Sequence, residues 1–138
     1  MRKRCSRTDM LSVELVGPRL EGPDDAVDAL RLSAGDAEHE TIVVLVCDGE
    51  RRIVVALDFP GAPAAVAPDV VGCVLAGLVG GRRHKLVVGL FRGARRSTAL
   101  DASVVQAVDD LLAACDDAAV EVLDVLVVSG RRWRSALD

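Results

Sequence analysis

The sequence predicts an α/β layered domain, a mixed β-sheet flanked by helices, and three observations point there. Apolar, β-branched runs of strand length, around residues 41–47, 85–91 and 120–128, alternate with segments whose apolar residues recur at helical spacing. Two of those runs end in a glycine-containing turn followed by a second run, the signature of hairpins. The length of 138 residues suits one domain, and 51 % hydrophobic with 28 % charged residues describes a chain able to bury a core.

Residues 1–10, with Arg2, Lys3, Arg4 and Arg7, read as a loose basic arm, and the domain is expected over 11–138. Residues 12–16 alternate weakly and suit a short strand. Gly22-Pro23-Asp24-Asp25 opens a helix, because proline fits the first turn and carboxylates there face the positive end of the helix dipole. Ala26, Val27, Ala29, Leu30 and Leu32 give it an apolar face, and residues 33–38 form a polar loop. Residues 41–47 read as a strand buried on both faces. Asp48-Gly49 suits a tight turn, with 51–58 returning. Residues 60–68 are too turn-rich for regular structure. Residues 67–79 have helical spacing and stop at Gly80-Gly81, and 85–91 is a strand. Thr98-x-x-Asp101 resembles a capping box opening a helix whose apolar face is Val104, Val105, Val108, Leu111, Leu112 and Cys115. Residues 120–128 form a strand, Ser129-Gly130 a turn, and 131–137 the closing strand.

Composition narrows the function. Phe59, Phe91 and Trp133 are the only aromatics, so binding by stacked bases has almost no material. A net charge of −4 argues against coating nucleic acid. The uncharged stretch 70–81 is interrupted by Gly72, Gly77, Gly80 and Gly81, and falls short of the roughly 20 apolar residues that span a bilayer. Asp9, Glu14 and Pro18 stand where a signal peptide needs its apolar stretch, so a cytoplasmic protein is expected. Cys5, Cys47, Cys73 and Cys115 form no C-x-x-C pair, and three of them lie in apolar runs, as small buried thiols do.

A family resemblance rests on residues across the chain. Pro23-Asp24-Asp25-Ala26, then Glu40 before the strand ending in Cys47-Asp48, Ala67-Pro68-Asp69-Val70-Val71, Leu123-Asp124 within the late strand, and Ser135 in the closing strand together resemble the bacterial RadC-like JAB (MPN, JAMM) domain over about residues 20–137. The resemblance implies a cytidine-deaminase-like layered fold. It also implies zinc-dependent isopeptide or peptide hydrolysis, with a His-x-His-Pro loop, an aspartate at the next helix start and a glutamate serving the metal-bound water. Glu40 matches the glutamate, but Leu90 and Arg92 stand at the two histidines, Gly93 at the proline and Ser103 at the aspartate, with Asp101 two residues away. Val125 stands where the family has a histidine. A leucine has no lone pair and an arginine is a fixed cation, so a degenerate, metal-free member without a cofactor is expected.

Other residues carry both a functional and a plainer reading. Arg92, Arg95, Arg96, Ser97 and Thr98 precede a helix N-terminus and could bind an anion or a partner, although a solvated loop has the same composition. His39 and His84 read as solvated, and Glu40 equally as the polar start of a strand. Arg131, Arg132 and Arg134 around Trp133 read as a charged edge strand or an interface. Asp109, Asp110, Asp116, Asp117, Glu121 and Asp124 read as a solvated acidic face or as partners for a second copy. The sequence thus favours an inactive JAB-like module that binds an unidentified protein, with a homodimer as one form. The alternatives are a hydrolase relocated to Glu40, Asp101 or Ser103, and an accessory protein of nucleic acid.

Overall fold

A computed structural model of the chain describes residues 18–35, 38–78, 83–93 and 98–137. It is an α/β structure of three helices and a five-stranded mixed sheet among these residues. In chain order the elements are α1 (Pro23–Ala34), β1 (Thr41–Cys47), β2 (Ile53–Pro60), α2 (Ala67–Gly77), β3 (Lys85–Phe91), α3 (Ala102–Asp117), β4 (Glu121–Ser129) and β5 (Arg132–Ser135). The sheet order is β2-β1-β3-β4-β5. Only β3 and β4 run parallel, joined through α3, and every other neighbouring pair is antiparallel.

The burial of β1 on both faces follows from its position inside the sheet. Ile42, Val44 and Val46 join Leu86, Val88, Leu90, Val125 and Val127 beneath α2 and α3. Val43 and Leu45 join Val87, Leu126 and Val128 beneath α1, which contributes Ala26, Val27 and Leu30. Gly89 in β3 faces α1 at close approach: a Cβ there would lie 2.8 Å from a methyl of the fully buried Leu30, so a larger residue would force that side chain to shift. Helices thus lie on both faces of the sheet, the arrangement that buries parallel neighbours.

Several boundaries differ from the sequence reading, each for a local reason. The first hairpin turns over residues 48–52, a longer turn than Asp48-Gly49 predicts. The Asp48 carboxylate accepts the N–H groups of Glu50 at 2.8 Å and Arg52 at 3.0 Å, and Arg51 takes φ 67°. Within residues 60–68, where no regular structure is expected, Ala64–Val66 forms a 3-10 turn leading into α2. Helix α1 runs on through Ala34 into the predicted loop. Helix α2 stops at Gly77, before the predicted Val79, and Gly80-Gly81 lies outside the described residues. The cap of α3 is Asp101, not Thr98: its carboxylate accepts the Val104 N–H at 3.0 Å. Val105, expected inside, is exposed, and Ala107 takes its place against the sheet. The second turn falls at Gly130 and Arg131, since Ser129 still pairs with Arg132. The basic arm and the strand at 12–16 lie outside the described residues.

Among the described residues no helix is long and apolar enough to cross a membrane.

Candidate functional site

The site expected from the sequence gathers at one end of the sheet for reasons of register. Thr41 of β1 pairs with Phe91 of β3, so the residues just beyond them, Glu40 and Arg92, come side by side. Opposite charges facing each other at adjoining strand ends attract. Glu40 Oε2 lies 3.2 Å from Arg92 Nε. Arg92 extends the sheet by donating its backbone N–H to Val128 O at 2.9 Å, which fixes the root of its side chain. That side chain is only 7 % exposed and Glu40's 23 %.

The guanidinium is tightly enclosed but incompletely bonded. Its Nε is near Glu40 yet off the line of a hydrogen bond, and Nη1 has no acceptor among the described residues. The Glu40 contact is therefore chiefly an attraction between charges, strengthened by the low local dielectric. Gly93 continues the turn at φ 82°, and Ser129 Oγ donates to its carbonyl at 3.1 Å.

Helix α3 starts at the same end, because a parallel β3–α3–β4 crossover begins beyond the carboxyl end of β3. The Asp101 carboxyl is held below its ordinary value, first by the Val104 N–H, then by the Ser103 hydroxyl, with the Arg92 charge adding to them. Ser103 Oγ donates to Asp101 Oδ1 at 3.1 Å, so serine and aspartate act together as a helix cap. A carboxylate held low is a weak base.

The structure brings Glu40, Arg92, Asp101 and Ser103 to this end. Leu90, two residues before Arg92 on the same strand face, is fully buried beneath α2 and α3. Thr98 is half-buried, whereas Arg95, Arg96 and Ser97 lie outside the described residues. The zinc centre that the resemblance implies does not fit these side chains. Leu90 carries no donor atom, Arg92 presents a fixed positive charge to Glu40, and φ 82° at residue 93 is closed to proline, whose ring holds φ near about −65°. Among the described residues no group of three or more His, Cys, Asp or Glu side chains is placed to hold a metal ion.

The remaining candidates are dispersed. His39 is exposed, and His84 is half-buried beside Cys73 and Val74. Asp109, Asp110, Asp116 and Asp117 are exposed on α3, where Asp110 accepts from Gln106 at 2.9 Å. Glu121 pairs with Lys85 at 3.3 Å, tying the start of β4 to that of β3. Asp124 accepts the Ser135 hydroxyl at 2.6 Å and the Val125 N–H at 2.9 Å, which locks β5 onto β4. Arg131, Arg132 and Arg134 are exposed along the β5 edge, while Trp133 packs against the core beneath α1.

The ion pair between Glu40 and Arg92 is the feature that reading residues singly misses. Its signal was available in the opposite charges flanking two strands that pair antiparallel. Neither a protein-family model nor a curated protein matches this chain.

Proposed function

We propose that this chain is a degenerate RadC-like JAB domain, metal-free and without catalytic activity, that works in the cytoplasm as a protein-interaction or scaffold module. The observation that carries the reading is the Glu40–Arg92 pair: the carboxylate at the position of the family's glutamate meets a guanidinium where that family places a metal ligand. Helices on both faces of a mixed sheet support the same reading, since that layering is what the resemblance implies. Arg92 neutralises the one carboxylate that would serve a metal-bound water, and its neighbour Leu90 seals the base of the site with hydrocarbon. The segment between β3 and α3 is the part free to diverge toward a partner, and Arg95, Arg96, Ser97 and Thr98 bias it toward acidic groups, Arg92 being enclosed beside Glu40.

Metal analysis of the purified chain after incubation with excess zinc and desalting tests the reading. The expected result is zinc far below one equivalent and no cleavage of an isopeptide-linked substrate. One equivalent of zinc together with cleavage overturns it.

A further inference from the structure

Between α1 and β2 lies an open cleft of about 440 Å³. Small organic molecules occupy clefts of about 300–1,000 Å³. Ala29, Leu32, Leu45, Ile53 and Ala56 give it walls of hydrocarbon. The sheet register accounts for the gap. Val43 and Leu45 of β1 face α1, so their β2 partners Asp58 and Ala56 face it as well. There β2 offers a carboxyl and a methyl group where β1 offers branched side chains. Leu32, at the rim, is 85 % exposed, and exposed hydrocarbon beside a cleft is a mark of ligand grooves.

The charges around this hydrocarbon are mainly of one sign. Asp25 and Asp28 of α1 line the cleft, and Asp58 is the next side chain after Ala56 on the same face of β2. Among the described residues no Lys or Arg forms an ion pair with any of the three. The half-buried Asp58 accepts the Ser33 hydroxyl through Oδ1, and Oδ2 has no donor among the described residues. Ser33 itself lines the cleft, which places that carboxyl at its floor. Arg19, the one cation lining the cleft among the described residues, helps hold the Asp48 carboxyl of the hairpin turn low and so serves that group. Burial raises Asp58, as it does a carboxyl short of a counter-charge.

We propose that this cleft binds an organic amine, its apolar body between Leu32 and Ile53 and its ammonium group on Asp58, with Asp25 and Asp28 drawing the cation in. The chemistry of the walls selects that class. A carboxylate or phosphate would meet three carboxyl groups, like charge on like. A purely apolar molecule would strip the remaining water from Asp58 and return nothing for it. An ammonium donates to the free Oδ2 and supplies the missing counter-charge, while its hydrocarbon covers Leu32 and Ala56. The proposal is independent of the Glu40–Arg92 reading.

Nuclear magnetic resonance titration of the intact, isotopically labelled chain at neutral pH tests this with three matched probes, phenylbutylamine, phenylbutanol and phenylbutyrate. The expected result is saturable shifts over residues 28–33 and 53–58 with the amine, binding about tenfold weaker or more for the alcohol, and none for the carboxylate. Asp58→Asn is expected to bring the amine down to the affinity of the alcohol and to leave the alcohol unchanged. Ala56→Phe, which fills the cleft, is expected to abolish both while the β3 and β4 signals stay in place. Equal binding of amine and alcohol to the unmodified chain overturns the proposal, whether or not a variant folds. So does an amine affinity that Asp58→Asn leaves unmoved. A folded full-length chain that shows no saturable shift overturns it too, and makes another part of the chain or a second copy the occupant.

Discussion

Arg92 separates the cost of an uncompensated charge from the cost of lost packing. Glu40→Gln leaves the enclosed guanidinium without its counter-charge and is expected to cost about 2–3 kcal/mol, somewhat less than for a fully buried pair because Glu40 is partly exposed. Arg92→Met removes the charge and keeps much of the volume, so its cost is expected to stay below about 1.5 kcal/mol. Urea denaturation of both variants checks the order, and a milder effect of Glu40→Gln than of Arg92→Met would contradict the account of the pair. Two buried cysteines are open to a chemical test. Burial pushes Cys47 and Cys115 up to about 11, so about one thiol in a thousand is ionised at pH 8, against roughly a quarter for a free cysteine. Both are expected to resist alkylation in the folded protein and to react on unfolding, as read by mass spectrometry of the labelled peptides.

Elements meet through fitted surfaces, and the seat of α1 on β3 is the closest of these. Gly89→Ala is expected to destabilise by about 1–2 kcal/mol, because Leu30 is fully enclosed and cannot swing aside. Combining it with Leu30→Val is expected to recover part of that loss, a coupling that a double-mutant cycle on the denaturation midpoints measures. The turn and cap carboxylates make the elements acid-sensitive. Asp48 is held below its ordinary value first by the Arg52 N–H, and Asp101 first by the Val104 N–H. For groups lowered by folding, the stabilisation is complete above the ordinary value of 3.8 and fades as pH falls through the lower folded value. Asp58 runs the other way, since burial raises it against the opposing hydrogen bond from Ser33, and its contribution is lost as pH rises through the folded value. Asp48→Asn and Asp101→Asn should therefore each flatten the loss of stability below pH 4, which thermal melts over an acid series will show.

At the scale of the whole molecule, the layered α/β class was legible because the strand runs and helix faces have distinct periods. Residues 41–47 and 85–91 coincide with β1 and β3, whose buried β-branched side chains leave no other reading. Turns and caps were less legible, because they depend on which carboxylate reaches which N–H: Asp48 widened a turn, and Asp101 displaced Thr98 as a cap. The candidate site was legible as four positions but not as a pair of charges, since that needs the register between β1 and β3.

One hydrogen bond spans nearly the entire described chain. Arg31 Nη2 of α1 donates to the Gly130 carbonyl in the turn before β5, at 3.0 Å. Helix α1 also packs across β1, β2, β3 and β4, so its resting place is not complete until β4 and the turn after it have been made. Emerging from the ribosome, α1 would wait with Val27 and Leu30 bare, an opening for chaperones and a source of slow, late folding.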